Sequence, residues 1–222
     1  MARSFFYFYF SFLFSFNLFA GSQIFLNYCE KVINNDQSFS KDFFYTTKVL
    51  IETVATKDCE TAFKRLSSFK SLDLSQNNIK DLRPLASFTN LQSLDLRSNN
   101  IESLWGLEGL VDLQILHLRE NKVKDLTPIS YLKNLLVLDL VSNKVERLAP
   151  VKELFHLEHL RLDDNPIFQN DEEMDYLEGL LFLRKFERDG MMQDPGESFL
   201  EIILLADRAA IRADLHYFRN LN

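Results

Sequence analysis

The middle of the chain repeats a pattern of hydrophobic and polar positions every 22 residues. Each unit contains a Leu-x-Leu pair, and an asparagine stands three residues after the second leucine. The pairs are Leu72/Leu74, Leu94/Leu96, Leu116/Leu118, Leu138/Leu140 and Leu160/Leu162. The asparagines are Asn77, Asn99, Asn121, Asn143 and Asn165. Because these columns stay in register through five successive units, this part of the chain is a tandem repeat.

The alternation inside each unit predicts a short β-strand. The two leucines of a pair face the interior, while the residue between them faces outward. Stacking the units places the strands in one parallel sheet over a continuous apolar core. The asparagine follows the strand where the chain turns, and its side chain both donates and accepts hydrogen bonds. We therefore expect a buried ladder of five asparagines at this corner.

The segment after each asparagine returns to the next strand and adds to the same core. An isoleucine or valine stands two residues after the asparagine, and in the first four units a leucine follows three residues later. A proline comes two residues after that leucine in three units, at Pro84, Pro128 and Pro150, while Gly106 holds this position in the second unit. Proline suits the convex side because it fixes φ and has no N–H to supply to a sheet.

Two return segments carry a resemblance to a known family. Ile79-Lys-Asp-Leu-Arg-Pro-Leu85 and Val123-Lys-Asp-Leu-Thr-Pro-Ile129 are similar to the corresponding segment of internalins. With the asparagine column, they make residues 66–167 resemble five units of the leucine-rich repeat family, in the 22-residue form of internalins and of the leucine-rich regulatory subunit of protein phosphatase 1. The resemblance implies an α/β solenoid with short parallel strands on its concave face. It also implies binding of another protein or a peptide.

Residues 1–22 have the composition of a secretory signal peptide. Arg3 supplies a positive charge, a phenylalanine-rich apolar run follows over residues 5–20, and Ala20-Gly21-Ser22 allows cleavage after Ala20 or Ser22. An uncleaved membrane anchor is the rival interpretation, but the run is shorter than the ~20 residues that a spanning helix needs. A strand is the weaker interpretation of the alternating phenylalanines. We expect export to the periplasm, the cell surface or the medium, without stable membrane insertion after cleavage.

Residues 23–65 are expected to cover the first repeat as a helical N-terminal cap. Within them, helices are predicted over residues 42–55 and 59–66. Cys29 and Cys59 are the two cysteines of the chain, so in an oxidising compartment they form the one available pair. In the loop-closure model such a disulfide stabilises the fold by about 3–4 kcal/mol.

Residues 168–222 are expected to form a C-terminal cap and a final helix. Residues 180–187 resemble the closing cap of phosphatase-regulator-like members of the family. Ser198 and Glu201 form a capping-box pattern. Apolar residues then recur at helical spacing, at Leu200, Leu204, Ile211, Leu215 and Phe218. We expect this helix to fold back on the cap; a helix that binds a partner or a membrane surface is the alternative, and its few basic residues weaken the membrane form.

Composition narrows the classes of function. Acids outnumber bases 32 to 25, and the excess lies in residues 163–222, which hold 14 acids and 6 bases. The absence of a basic run argues against a nucleic-acid partner. Six glycines are too few for a phosphate-loop architecture.

The outward positions of the strands form the concave face, where solenoids of this kind bind their partners. Ile115, Val137 and Val141 are expected to be exposed there, with Arg97 and Arg119 beside them. This arrangement resembles the apolar centre and arginine rim of a protein-binding hot spot. The alternative is an ordinary solvated sheet surface. The residues expected to contact a partner are Asp95, Arg97, Ile115, His117, Arg119, Val137, Asp139, Val141, His159 and Arg161.

Asp95, His117 and Asp139 form a row across adjacent strands, which also invites an acid–base interpretation. An open sheet excludes little water and no nucleophile accompanies the row, so charge pairing along the ladder is the preferred interpretation. His117 and His159 lie two strands apart, about 10 Å, so we expect no metal site and no cofactor. Trp105 stands on the convex side, either as a second contact point or packed by neighbouring repeats.

The sequence therefore predicts an exported, disulfide-linked, non-catalytic solenoid that binds a protein or peptide through its concave face. A structural component of the cell envelope or surface is the second interpretation. An enzyme that uses the Asp–His row is the third.

Overall fold

The computed structural model describes residues 23–36, 38, 40–169 and 201–202. Six short parallel strands form one sheet, in the order in which they occur along the chain. They are β1 (Ser71–Asp73), β2 (Ser93–Asp95), β3 (Ile115–His117), β4 (Val137–Asp139), β5 (His159–Arg161) and β6 (Glu201–Ile202). From β1 to β5 each residue pairs with the residue 22 positions later, as Leu72 does with Leu94.

The inner face of the sheet lies on a continuous apolar core. The central leucine of each strand from β1 to β5 is at most 4% exposed, and the leucine that follows each of these strands is fully buried. The return segments bury Ile79, Ile101, Val123, Val145 and Ile167 in the same cluster. Removal of this apolar surface from water is the main driving force for folding. The predicted α/β solenoid with a parallel sheet is confirmed.

The asparagine after each strand joins its own repeat to the preceding one. The Nδ2 group of Asn121 donates to the carbonyl of Leu118 in its own repeat and to that of Leu96 in the preceding repeat, both at 2.9 Å. Its Oδ1 atom accepts from the backbone N–H of Ile101 at 3.0 Å. One buried amide therefore satisfies backbone groups of two repeats at the point where the chain leaves the sheet.

The same bonds recur along the column at Asn99, Asn143 and Asn165. Asn77 differs because it belongs to the first repeat. It is half-buried, and its Nδ2 group donates to the carbonyl of Ser75 at 2.7 Å. The ladder thus begins near the surface and is buried from the second repeat onward.

The residue before each asparagine of the ladder has a left-handed backbone conformation. These residues are Gln76, Ser98, Glu120, Ser142 and Asp164, with φ between 54° and 58°. At Glu120 this conformation turns the backbone so that its N–H donates to the carbonyl of Val141 in the next repeat, at 2.8 Å. A left-handed residue other than glycine costs about 1–2 kcal/mol. The hydrogen bonds at this corner offset that cost.

Replacing Asn121 with alanine should lower the free energy of unfolding by about 3 kcal/mol, because the N–H of Ile101 and two carbonyl groups lose their partner inside the core. Asn77→Ala is the matched control. It removes a bond near the surface and should cost about 1 kcal/mol. Urea denaturation measures both values, and equal losses would contradict the role assigned to the ladder.

The return segments form 3-10 turns on the convex side, at Arg83–Ser87, Thr127–Tyr131, Ala149–Glu153 and Pro166–Gln169. The second repeat instead turns at Trp105 and Gly106. Gly106 has a φ of 110°, and a Cβ atom there would lie 2.6 Å from the carbonyl carbon and oxygen of Leu82. Both the backbone conformation and the close approach to the first repeat require glycine at this position.

Gly106→Ala should therefore destabilise the fold by about 3 kcal/mol, since strain and a backbone clash act together. Gly109→Ala is the matched control in the same repeat, because a Cβ atom there would meet nothing within 4 Å. The control should stay within about 0.5 kcal/mol of the parent chain. Thermal unfolding followed by circular dichroism compares the two, and a Gly106→Ala variant as stable as the control would refute the requirement.

Within the described residues, three helices precede the repeats: α1 over residues 23–33, α2 over Lys41–Thr53 and α3 over Cys59–Ser68. Helices α2 and α3 agree with the predicted helices to within two residues at each end. Helix α1 was not predicted, and it carries Cys29. Cys29 and Cys59 form the expected disulfide, with their Cα atoms 5.7 Å apart.

The helices share a core with the first repeat. The rings of Phe25 in α1 and Phe88 in the first repeat meet edge to face, with centroids 5.1 Å apart. Leu50 of α2 and Leu66 of α3 are buried in the same cluster as Leu72 of β1. The apolar surface on the near side of the first repeat is therefore in contact with the helices rather than with water.

The prediction that Glu201 lies in the first turn of the final helix, in a capping box with Ser198, is wrong. Glu201–Ile202 form β6, which pairs in parallel with His159 and Leu160 of β5. The outer edge of β5 offers unpaired backbone groups, and a strand satisfies them where a helix cannot. The predicted signal peptide and the rest of the predicted C-terminal cap and helix, over residues 170–200 and 203–222, lie outside the described residues. In the described ranges no helix is long and apolar enough to cross a membrane.

Candidate functional site

Three columns of side chains cover the concave face of β1 to β5. The middle column consists of Asp73, Asp95, His117, Asp139 and Arg161. Exposure falls along this column: Asp73 is exposed, Asp95 and His117 are half-buried, and Asp139 is only 5% exposed. The face is therefore open at the first repeat and more enclosed at the fourth.

The apolar centre of the concave face consists of two residues rather than three. Ile115 and Val137 are register partners on β3 and β4, and both are half-buried. The prediction that Val141 is exposed is wrong, because it is only 4% exposed. Val141 lies beyond the end of β4, where the chain already turns toward the ladder, so the in–out alternation of the strand no longer decides its environment. The longer Arg97 side chain in the same column extends to solvent.

Arg97 is held on the concave face by a fork with Asp95. The Nε atom of Arg97 lies 3.0 and 2.9 Å from the two carboxylate oxygens, and the backbone N–H of Arg97 donates to Oδ1 at 3.0 Å. Burial raises the pKa of Asp95, but the hydrogen bonds and the charge of Arg97 outweigh burial, so the pKa lies below its ordinary value. The hydrogen bond to Asp95 in turn raises the pKa of Arg97. The guanidinium group is thus fixed while half of its side chain stays exposed.

The other two arginines of the predicted surface are also paired. Nη1 of Arg161 donates to Oδ2 of Asp139 on the neighbouring strand at 3.4 Å. Nε of Arg119 donates to Oε1 of Glu120 at 3.1 Å. The carboxylates hold these guanidinium groups in place beside the apolar pair.

His117 lies between Asp95 and Asp139 in the strand register. Both carboxylates are already committed to arginines, and the buried Nδ1 atom of His117 has no hydrogen-bond partner in the part of the chain that the structure describes. The row is therefore not assembled as an acid–base pair. Among the described residues no group of three or more His, Cys, Asp or Glu side chains is placed to hold a metal ion.

Three exposed apolar residues of the repeats, besides Trp105, were not predicted from the sequence. Val111, Tyr131 and Phe155 are 46%, 54% and 71% exposed. Val111 and Phe155 lie in turns that precede strands, and Tyr131 ends the 3-10 turn Thr127–Tyr131. The Nζ atom of Lys133 lies 5.7 Å from the centroid of the Phe155 ring. Comparing residues 22 positions apart could have found two of them. Val111 and Phe155 stand in a column whose other members are the polar residues Thr89 and Lys133.

A family model described as leucine-rich repeats in two copies matches residues 70–110. This region contains β1, β2 and the first two asparagines of the ladder. The chain contains leucine-rich repeats. Leucine-rich repeat proteins such as internalins are generally protein-binding and typically act as non-enzymatic scaffolds.

Three solved structures are similar to this chain over part of its length. An internalin C2 from Listeria monocytogenes is 40% identical, over 47% of this chain and 46% of its own, with a TM-score of 0.43. An internalin F from the same organism is 27% identical, over 47% and 37%, with a TM-score of 0.39. A leucine-rich repeat protein from Leptospira interrogans is 33% identical, over 54% and 31%, with a TM-score of 0.49. The match thus spans less than half of each of these proteins. No curated protein sequence matches the chain significantly.

Replacing Arg97 with alanine should raise the pKa of Asp95, because the hydrogen bonds and the charge of the guanidinium group are lost while burial remains. In the parent chain the lowered pKa makes Asp95 stabilise the fold above pH 3.8, the ordinary value of a free aspartate. This contribution is lost as the pH falls through the lower folded-state pKa. Titration of the carboxyl carbon by NMR measures the pKa in both chains.

The matched control for this titration is Arg83→Ala, which breaks a similar fork with Asp81 on the convex side. It should leave the pKa of Asp95 unchanged. If Asp95 titrates identically with and without Arg97, the fork does not control its charge.

Proposed function

We propose that this chain is exported and binds another protein or a peptide through its concave face, without catalysing a reaction. The observation that carries the proposal is the pair Ile115 and Val137. They lie side by side, half-buried, between arginines whose guanidinium groups are already held by carboxylates. An apolar centre with fixed, partly exposed charges around it has the anatomy of a protein-binding surface.

Preorganisation favours this surface energetically. A free arginine loses side-chain freedom when it is immobilised at an interface, whereas Arg97 and Arg161 are already ordered by Asp95 and Asp139. The exposed guanidinium group of Arg97 suits hydrogen-bond acceptors on the partner, such as backbone carbonyls or carboxylates. Five strands about 4.8 Å apart give a face roughly 20–25 Å across, which fits one small domain or one peptide.

The proposed contact surface is slightly smaller than the set predicted from the sequence. Its members are Asp95, Arg97, Ile115, His117, Arg119, Val137, His159 and Arg161. Asp139 and Val141 are buried, so they support the surface from below instead of touching the partner. A catalytic role is disfavoured because the two carboxylates beside His117 are bound to arginines.

Export is supported by the disulfide between Cys29 and Cys59. Such bonds form and persist in oxidising compartments and are rare in the cytosol. The signal peptide over residues 1–22 remains a prediction from the sequence.

The double substitution Ile115→Asp with Val137→Asp should weaken partner capture at least about tenfold, because two charges then face the apolar centre of the interface. The matched control is Val111→Asp, which adds a charge at an exposed valine away from the concave face. Immobilised parent and variant chains are incubated with native extract and chemically crosslinked, and the retained proteins are quantified by mass spectrometry.

Circular dichroism and urea denaturation establish that each variant is folded before capture is compared. Loss of a specific partner in the double variant, with full recovery in the control, is the expected result. Equal recovery in parent, control and double variant would refute binding through the concave face.

A further inference from the structure

A cleft of about 620 Å³ lies on the convex side, where helix α2 meets the first repeats. Asp42 of α2 forms one wall, and Lys80 and Arg83 of the first repeat form another. Glu102 and Trp105 of the second repeat also line it. The cleft is within the size range of small-molecule sites and is separate from the concave face.

Trp105 distinguishes this cleft from the rest of the convex surface. It is the single tryptophan of the chain and is 48% exposed. The equivalent positions of other repeats hold Arg83, Thr127 and Ala149. The backbone of the adjacent Gly106 packs directly on Leu82, which fixes the main chain beside the indole. The aromatic side chain is therefore presented from a rigid support, without being buried by its neighbours.

Two charge pairs hold the walls in place. Nε of Arg83 lies 2.9 and 3.0 Å from the carboxylate oxygens of Asp81, and the guanidinium carbon lies 5.5 Å from the centroid of the Phe43 ring in α2. Nζ of Lys80 lies 3.7 Å from Oδ1 of Asp42. These contacts tie the helix to the first repeat and neutralise four of the charges around the cleft.

Glu102 and Lys122 remain available to a ligand. Both line the cleft, and neither is in an ion pair within the described ranges of the chain. They supply an acceptor and a donor of hydrogen bonds beside the indole. The six charged residues of the lining cancel: Asp42, Asp81 and Glu102 against Lys80, Arg83 and Lys122. A neutral ligand rich in hydroxyl groups therefore fits better than a cation or an anion.

A second groove provides an internal comparison. It has a volume of about 540 Å³ and lies at the equivalent place two repeats later, between Lys124 and Pro150. There Ala149 replaces the tryptophan, and Lys124 is paired with Glu146 at 2.7 Å. The groove is thus a general consequence of stacking the repeats. The exposed indole, with Glu102 and Lys122 beside it, is particular to the first cleft.

We propose that this cleft binds a neutral saccharide through Trp105, Glu102 and Lys122. The C–H face of a pyranose ring stacks on the indole, which has a large apolar face and a rigid position. Hydroxyl groups at the ring edge donate to the carboxylate of Glu102 and accept from the ammonium group of Lys122. Each direction of hydrogen bonding on a sugar hydroxyl has a matching group in the lining.

Indole fluorescence tests the proposal, because its emission reports on Trp105 alone. The folded full chain is titrated with maltotriose, cellotriose and chitotriose as probes. At least one trisaccharide should shift the emission in a saturable way. Glu102→Gln should weaken that binding about tenfold, through loss of a charged hydrogen bond. Glu146→Gln, its equivalent in the second groove, should leave it unchanged.

Trp105→Ala removes the reporter, so its effect is measured by saturation-transfer NMR on the protons of the trisaccharide, after urea denaturation has shown that the variant is folded. Transfer should be lost. The proposal is overturned if none of the three trisaccharides shifts the emission, or if transfer persists in Trp105→Ala. A shift produced by trilysine instead of the trisaccharides also overturns it, since that result indicates a site for cationic peptides.

Discussion

The structure depends on one constraint: where the chain leaves a buried strand, its backbone N–H and C=O groups still need hydrogen-bond partners. From the second repeat onward a single asparagine amide solves this at each corner, and its bonds cross to the preceding repeat. Nδ2 of Asn121 reaches the carbonyl of Leu96, 25 residues earlier, and Oδ1 accepts from Ile101, 20 residues earlier. No repeat therefore satisfies its own corner alone. The ladder therefore links neighbouring repeats in addition to the apolar core.

A fixed register lets the outward residues vary. The core columns hardly change between repeats, whereas the concave positions pass from serine at Ser71 and Ser93 to Ile115 and Val137. On the convex side, Trp105 interrupts a column that is otherwise polar or small. Both candidate binding surfaces lie where an exposed residue differs in type from the equivalent residues of other repeats. A binding surface on these repeats thus requires only that a few exposed residues differ between repeats, because the buried residues maintain the fold.

The helices before the repeats bury apolar surface of the first repeat, as each repeat does for its neighbour. The first strand of a solenoid has an apolar side that no preceding repeat covers. Phe25 and Phe88 meet across this boundary, and the disulfide from Cys29 to Cys59 links α1 to α3. Arg83 joins the boundary from the convex side, where its guanidinium group contacts both Asp81 and the ring of Phe43. Helix α2 also contributes Asp42 to the lining of the cleft beside Trp105.

The 22-residue period by itself determined the strands, the buried leucines and the asparagine corners, because each follows from local alternation repeated in register. The pairing of Cys29 with Cys59 was also determined, since the chain offers no other. Only the tertiary structure decided that Val141 is covered, that Arg97 is held by Asp95, and that Glu201 extends the sheet. The in–out alternation predicts which face of a strand a side chain leaves from. It does not predict which distant side chains cover that side chain, or which partner a long side chain reaches. Those outcomes depend on packing between segments far apart in the chain, and no local pattern encodes them.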